Sequence, residues 1–401
     1  MSVHGFQKLL AKNHDNTRKA LLVDTNRGSY PLFDALRSLG WHVSVVGTSG
    51  SGPLTNLCPN FICANYSDPY ELNKVVEDKS FDAIIPGCTD ASYIACSELG
   101  YNKKYGFDSL ESRGQVFDKE KLRQLAARLD IQQPALLSEI DARSVEAIII
   151  KPVDSFSGGG MARLSRPTKT RLRDAIDKAK MFSPSHRVII EEFVVGQLYS
   201  HSAFLCNQTI QVDFFVQEDC IDNMFAVDTS CIALNISNNV QTQIRRSVER
   251  LAKELCLQDG LIHTQFIVRD GQSYLLEITR CHPGDLYGLL IQYSTGFDYA
   301  VHYLNAFLPN PLKPRQFPVK PRLIIRHTIT SSLGLDLWSL QFHAPLKIRE
   351  WVPLATAGNK LSPAPKGRVA IMFLEASNEE MQLELYNSLK NREVYSIVDS
   401  K

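Results

Sequence analysis

The sequence predicts a chain of several structural units, α/β in its first part and α+β thereafter. Three observations carry this. Between Lys19 and Leu99 short apolar runs alternate with helical stretches, the pattern of a parallel sheet covered on both faces. At Ile148 to Ser165 (IIIKPVDSFSGGGMARLS) a β-branched strand ends at Lys151 and opens into a run of serine and glycine. From Leu198 to Thr279 strands follow one another as a meander and then a hairpin, with one long helix between, as antiparallel sheets require. At about 100–200 residues per unit, the 401 residues allow roughly two to four units.

Residues 1–17 read as a frayed N-terminus. KALLVD (Lys19 to Asp24) is a strand, Ser29 to Gly40 a helix closed by its glycine, and HVSVVG (His42 to Gly47) the second strand. NFICA near Phe61 and FDAIIPG (Phe81 to Gly87) continue the alternation, with helices near Pro69 to Glu77 and Ala91 to Leu99. A dinucleotide site is disfavoured here by its missing fingerprint. The first turn has only one glycine, Gly28, and no acid ends the second strand. Asp90 follows the fourth strand, where open parallel sheets place ligand contacts, and it also suits a helix N-cap.

Asp118 to Asp130 has the spacing of an amphipathic helix, with Asp118 as cap and Leu122, Leu125, Ala126 and Leu129 on one face. Lys119 stands at the end where a cation opposes the helix dipole, so it is either a solvated lysine or a partner for an anion. Lys151 with Ser155, Ser157, Gly158, Gly159 and Gly160 could hold a phosphate, because glycines admit backbone N–H groups to a polyanion. The lysine precedes the glycines, so this is not a Walker A loop, and an ordinary glycine hairpin is the alternative. A helix from about Thr168 to Met181 leads to the strand RVIIEEFVVG (Arg187 to Gly196), which reads either as a surface for a flat heterocycle or as a hinge.

After the meander, Asn239 to Leu257 is helical. LIHTQFIVRDGQSYLLEIT (Leu261 to Thr279) is a hairpin turning at Asp270-Gly271. Glu277 has apolar neighbours on both sides and reads as a buried carboxylate, compensated by a divalent metal or by an arginine. Gln265, Glu277 and Thr279 share a face only if the loop has an odd number of residues, so a metal site commits to a three- or five-residue loop. Arg280 would suit the charge on a transferring phosphoryl group, or else pairs with Glu277. His282, before Pro283 and Gly284, reads as a loop residue, and a helix follows near Leu286 to Tyr293. Proline density from Pro309 to Pro321 marks a linker. LIIRHTI, LKIREWV and RVAIMFLEA are strands beyond it, Glu379 to Leu389 is a helix and VYSIVD a last strand, giving a small α+β appendage without evident chemistry.

A net charge of +1 offers no field for nucleic acid or anionic membrane. No apolar run reaches the ~18 residues of a membrane span, and the first twenty residues lack the apolar core of a signal peptide. Nine scattered cysteines without metal-ligand spacing fit free thiols in a reducing cytoplasm.

Four separated pieces occur in order: Asp118-Lys119, Lys151 with its glycine run, Glu191-Glu192-Phe193-Val194 before Gly196, and Gln265 with Glu277. Together they resemble the ATP-grasp superfamily of carboxylate–amine ligases, over roughly Lys19 to Ala306. The resemblance implies a Rossmann-like domain over 1–115 that walls the substrate site. It implies an ATP-grasp lid over 116–196, a central antiparallel domain over 197–310 and a C-terminal subdomain over 311–401. Lys119 and Lys151 would contact ATP phosphates, and Ser155 to Gly160 would fold over them. Glu191 to Val194 would form the hinge, with the backbone of Glu192 and Val194 on the adenine edge. Gln265 and Glu277, with Thr279, would hold Mg2+, or Mn2+ in its place, and Arg280 would act on the acyl phosphate. Partners would be a small carboxylic acid and an amine, with a homodimer as a family-level expectation.

Four positions depart from the family pattern. Thr279 stands where an asparagine ligand is usual, and its hydroxyl is a poorer donor. Leu198 stands where many members use a glutamate for the ribose, and Arg280 falls one residue earlier than the usual arginine. Gln265 replaces a frequent glutamate without loss of an oxygen donor. The alternatives to a ligase are a nucleotide sensor that has lost the ligase step and a relative using a thiol acceptor or bicarbonate. A single ATP-grasp unit disfavours carbamoyl-phosphate synthetase, which carries two.

Overall fold

A computed structural model describes residues 18–99, 106–156, 158–312 and 322–400. The expected frayed N-terminus, Ser157 and most of the proline-rich linker lie outside the described residues. The chain divides into two compact units. One is assigned Met1–Asp108, Cys281–Gly288 and Tyr299–Arg315, and the other Ser109–Arg280, Leu289–Asp298 and Gln316–Lys401.

In the first unit β1 (Lys19–Val23), β2 (His42–Gly47), β3 (Phe61–Cys63) and β4 (Ala83–Pro86) form a sheet in the order β3-β2-β1-β4. Every pairing is parallel. The crossovers are α1 (Tyr30–Ser38), α2 (Pro69–Lys79) and α3 (Asp90–Glu98). β4 is buried throughout and β1 in all but its first residue, which is why both read as unbroken apolar runs rather than as alternation. Gly40 follows α1 at φ +83, the left-handed stop its position announces. Asp68 caps α2 by accepting from Tyr70 N–H, with Pro69 as the first helical residue. The expected N-cap at Asp90 is corrected. Thr89 accepts from Ser92 N–H, and Asp90 is the acid of the first turn, where its charge complements the dipole.

The second unit begins with α4 (Leu110–Val116) and α5 (Lys119–Arg128). β5 (Ala147–Pro152), β6 (Ala162–Ser165), α6 (Lys169–Lys180) and β7 (Val188–Glu192) follow, with the strands in a three-stranded antiparallel sheet β6-β5-β7. Ile148, Ile150 and Ile190 on that sheet pack on Leu172, Ile176 and Ala179 of α6. Then come β8 (Gln197–Cys206), β9 (Thr209–Asp219), β10 (Thr229–Ile232), α7 (Asn238–Glu254), β11 (Gly260–Arg269) and β12 (Gln272–Thr279). One face of this sheet packs Tyr199, Phe266, Leu275 and Ile278 against Leu122 and Leu125 of α5 and Val240, Ile244 and Val248 of α7.

After α8 (Tyr287–Thr295) and α9 (Tyr299–Asn305), the C-terminal segment holds β13 (Leu323–Thr330), β14 (Leu335–Phe342), β15 (Ile348–Pro353), β16 (Lys360–Leu361), β17 (Arg368–Ala376), α10 (Glu379–Lys390) and β18 (Tyr395–Asp399). Three of its strands do not stand apart, while β14, β16 and β18 pair as a sheet of their own. β13, β17 and β15 continue the central sheet, giving eight strands in the order β12-β11-β8-β9-β10-β13-β17-β15. β14 was not expected from the sequence. A register shift between Leu337 and Ser339 breaks its alternation halfway along.

Two histidines are buried neutral. His282 in the first unit is packed edge-on to Tyr299 and Tyr303, and its Nδ1–H donates to Pro283 O at 3.0 Å. His327 in the second unit sits between Thr229 Oγ1 and Tyr395 Oη, each 2.8 Å away. Burial pushes His282 down to about 4 and His327 down to about 3. Between these values and the ordinary 6.5 the unfolded chain binds more protons than the folded one. Stability is therefore expected to be whole above about pH 6.5 and to fall toward pH 4, by about 1.4 kcal/mol per pH unit for each histidine. Burial raises Asp228 to about 6, which acts in the opposite sense below that pH. Urea midpoints of wild type and of a His282→Gln chain are therefore compared across the range, and parallel profiles contradict the histidine's contribution.

Candidate active site

The candidate site lies in the second unit, where α5, the β5–β6 loop and the β11–β12 hairpin meet. Asp118 caps α5 by accepting from Lys121 N–H at 3.0 Å, which places Lys119 at the first helical position. Lys119 N–H donates to Val153 O at 3.1 Å and its Nζ to Ser155 O at 2.6 Å. The ammonium also lies 5.9 Å from the Phe156 ring centroid. Lys119 thus points at the glycine run and is not a solvated lysine.

The run is closed by Ser155 Oγ donating to Gly159 O at 2.8 Å. Gly158 and Gly160 have φ of +71 and +76. A Cβ on Gly160 would lie 2.5 Å from Phe182 Cβ, and one on Gly158 2.9 Å from Phe225 Cβ. The turn therefore demands glycine at both places.

Lys151 is the fifth residue of β5. Its Nζ lies 2.7 Å from Glu191 Oε2 on β7, while Arg123 Nε of α5 donates to Glu191 Oε1 at 2.6 Å. The three side chains are 7%, 0% and 1% exposed. Burial opposes ionisation of Glu191, but Arg123 and Lys151 overcome it and hold the carboxyl well below its usual range. Burial pushes the Lys151 ammonium below an ordinary lysine, with Glu191 and Glu277 acting against that shift.

The side chain of Glu191 is enclosed by these cations. Glu192 turns elsewhere, accepting from Arg269 Nη1 at 3.0 Å, and its N–H donates to Ala135 O at 2.9 Å. β7 ends there. Phe193, with Arg163 4.4 Å over its ring, and the buried Val194 form a link into β8.

The hairpin corrects two expectations. Its turn is the two-residue Asp270-Gly271, with φ of +52 and +73, not an odd-numbered loop. Gln265 nevertheless pairs directly with Glu277, and His263 with Thr279. Below that point Phe266 pairs with Leu275, so Leu276 is the extra residue of a β-bulge that restores the shared face. Nor is Glu277 buried. It is exposed, while Leu275 and Ile278 point into the core. Gln265 Nε2 reaches over β8 to donate to Glu218 Oε2 on β9 at 2.8 Å, and Glu218 is the ladder partner of Leu198 on β8. Thr279 is half-buried on the same face.

Arg280 does not stand beside the Glu277 carboxylate. Its guanidinium is buried and donates to Leu261 O and Gln258 O, both at 2.6 Å. The strand period puts it on the face opposite Glu277 and Thr279. Through these two carbonyls it ties the end of the hairpin to the start of β11.

Arg123 is the residue the sequence did not single out. It lies four positions after Lys119, one turn along the same helix side, and that spacing was its only signal.

The site's chemistry suits a polyphosphate with a hard cation. Lys119 reaches a loop that demands glycine at Gly158 and Gly160, and Lys151 lies near the end of the strand that leads into it. A carboxylate, an amide and a hydroxyl offer oxygen donors on one sheet face. Among the described residues no cluster of three or more His, Cys, Asp or Glu forms a metal site, so any cation here would keep several waters or phosphate oxygens.

No family model matches the chain. It is 31% identical over 182 residues to the carbamoyl phosphate synthase large chain of Thermotoga petrophila, covering 40% of this chain and 16% of that one. The match thus spans about a sixth of that relative's length. Among solved structures, the L-amino acid ligase from Bacillus licheniformis superposes with a TM-score of 0.76 at 14% identity, covering 96% of this chain and all of that one. The biotin carboxylase domain of Hydrogenobacter thermophilus 2-oxoglutarate carboxylase, a dimer in complex with MgADP, ADP and bicarbonate, superposes with a TM-score of 0.73 at 13% identity, covering 97% and 92%. These likenesses establish the fold.

Proposed function

We propose that this chain, an ATP-grasp protein by fold and by its partial kinship with carbamoyl phosphate synthase, is an ATP-dependent ligase. It would activate a small carboxylic acid as an acyl phosphate and pass the acyl group to an amine, releasing ADP and phosphate. The observation that carries this reading is the linked set in which Lys119 reaches the loop at Ser155 O and Arg123 joins the Lys151–Glu191 pair to the Leu276 carbonyl beside Glu277.

In this reading Lys119 and Lys151 bind phosphate oxygens and offset their charge. The glycine run closes over them and keeps water from the acyl phosphate. The link Phe193–Val194 lies along the adenine. Glu277 and Gln265, helped by the Thr279 hydroxyl, would hold Mg2+, which supplies charge neutralisation between phosphates when bound. The acid's carboxylate attacks the γ-phosphorus and ADP leaves. The amine nitrogen then attacks the acyl carbon and phosphate leaves, so the protein contributes position and charge rather than a covalent step. The nine free cysteines favour a reducing cytoplasm.

The test is ADP release against a panel of amino acids and small carboxylic acids, with and without an amine. Release is expected to rise at least about tenfold with the right acid, with hydroxylamine trapping the acyl group as a hydroxamate. ATP binding without stimulation by any acid would favour a nucleotide sensor, the reading to which the engaged Arg280 and the apolar Leu198 lend weight.

A further inference from the structure

The bulge in β12 and the buried arginine of α5 meet at one carbonyl. Leu276 is the residue that the ladder leaves out, and its freed carbonyl accepts Arg123 Nη2 at 2.7 Å. Arg123 Nε holds Glu191 Oε1 at 2.6 Å, and Glu191 Oε2 holds Lys151 Nζ at 2.7 Å. An unbroken series of short contacts therefore runs from the Lys151 ammonium to the residue before Glu277. All its charged members are buried, where such contacts are strong and slow to exchange with water. The helix that carries Arg123 is itself pinned to the loop after Lys151, through Lys119 N–H on Val153 O.

We infer that Arg123 is a positioning residue that ties the place of the Lys151 ammonium to that of the Glu277 carboxylate, so that nucleotide and divalent cation bind cooperatively through it. This rests on the nucleotide reading above. The planar guanidinium fork fixes the direction from Glu191 to the Leu276 carbonyl. A point donor such as an ammonium reaches one of them but not both. The bulge then has two effects. It turns Glu277 onto the face of Gln265, and it presents the carbonyl that anchors that face to the phosphate lysine.

The test measures ATP affinity by calorimetry with and without Mg2+ in the full chain. The ratio of the two affinities is the coupling, and it is the same whichever ligand binds first. In Arg123→Lys, which keeps a cation beside Glu191, the coupling is expected to drop at least about tenfold, with metal-free ATP affinity within about threefold of wild type. A second variant deletes Leu276. It gives a plain ladder, leaves Glu277 opposite Gln265 and keeps Arg123, Glu191 and Lys151, so it is expected to lose the same coupling. A merely structural arginine would shift thermal unfolding without moving this ratio. Wild-type coupling in a folded Arg123→Lys or Leu276-deleted chain overturns the inference while leaving the nucleotide site standing. If Arg123→Lys does not fold, the deletion decides alone. A wild-type chain that takes up no ATP with Mg2+ overturns the nucleotide reading, and the inference with it.

Discussion

Glu191→Gln is expected to destabilise the second unit by about 3–5 kcal/mol, the usual effect of stranding a buried charge. The substitution is nearly isosteric, so packing around β7 is kept. What changes is that Arg123 and Lys151 face each other across a neutral amide, both almost wholly enclosed. Lys151 is already held below an ordinary lysine by burial, and loss of the carboxylate removes the main opposing influence. Lys151→Met in the same chain should recover a sizeable part of the loss, because it withdraws one of the stranded cations. The wild-type contribution also has a fixed pH sense. Glu191 has a depressed pKa, so its stabilisation is present above the ordinary carboxylate value of 4.5 and disappears as pH falls through the folded value. Urea unfolding of the three chains at pH 7 measures the effect. A Glu191→Gln midpoint indistinguishable from wild type would show that the triad is not ionised as drawn.

Glu277→Ala is expected to do the reverse, with little cost in stability and a large one in turnover. The side chain is exposed and touches no core, so unfolding free energy should stay within about 0.5 kcal/mol of wild type. Substrate-stimulated ADP release should fall at least about a hundredfold, the scale for removing one electrostatic partner of a developing charge. Raising Mg2+ should restore part of it, since Gln265 and Thr279 remain on the same face. Activity unchanged at limiting Mg2+ would remove Glu277 from the metal site.

The fold was legible where the pattern was regular. Unbroken apolar strands marked β1 and β4, and glycine and serine marked the loop after Lys151. The hairpin was legible in outline but not in register. Two leucines in succession before Glu277 break the alternation, and that break was the available sign of a bulge. Strand period alone also set Arg280 on a different face from Glu277. If Glu277 and Thr279 share a face, the next residue must point away. Arg123 was hidden for a different reason. On an amphipathic helix an arginine beside the apolar stripe reads as solvent-facing, and only tertiary packing encloses it. The C-terminal strands were recognised one by one, but pairing between β10 and β13 spans a long stretch of chain that no local pattern records.

That pairing also bears on how the molecule can be cut. Ending the chain at the proline-rich stretch would remove β13, β17 and β15 and turn β10 from an interior strand into a border. Its unpaired amides and carbonyls would then invite strand addition from neighbouring molecules. Shortened versions of this protein should accordingly precipitate before they lose nucleotide binding, and the tail is best regarded as the sheet's own hem.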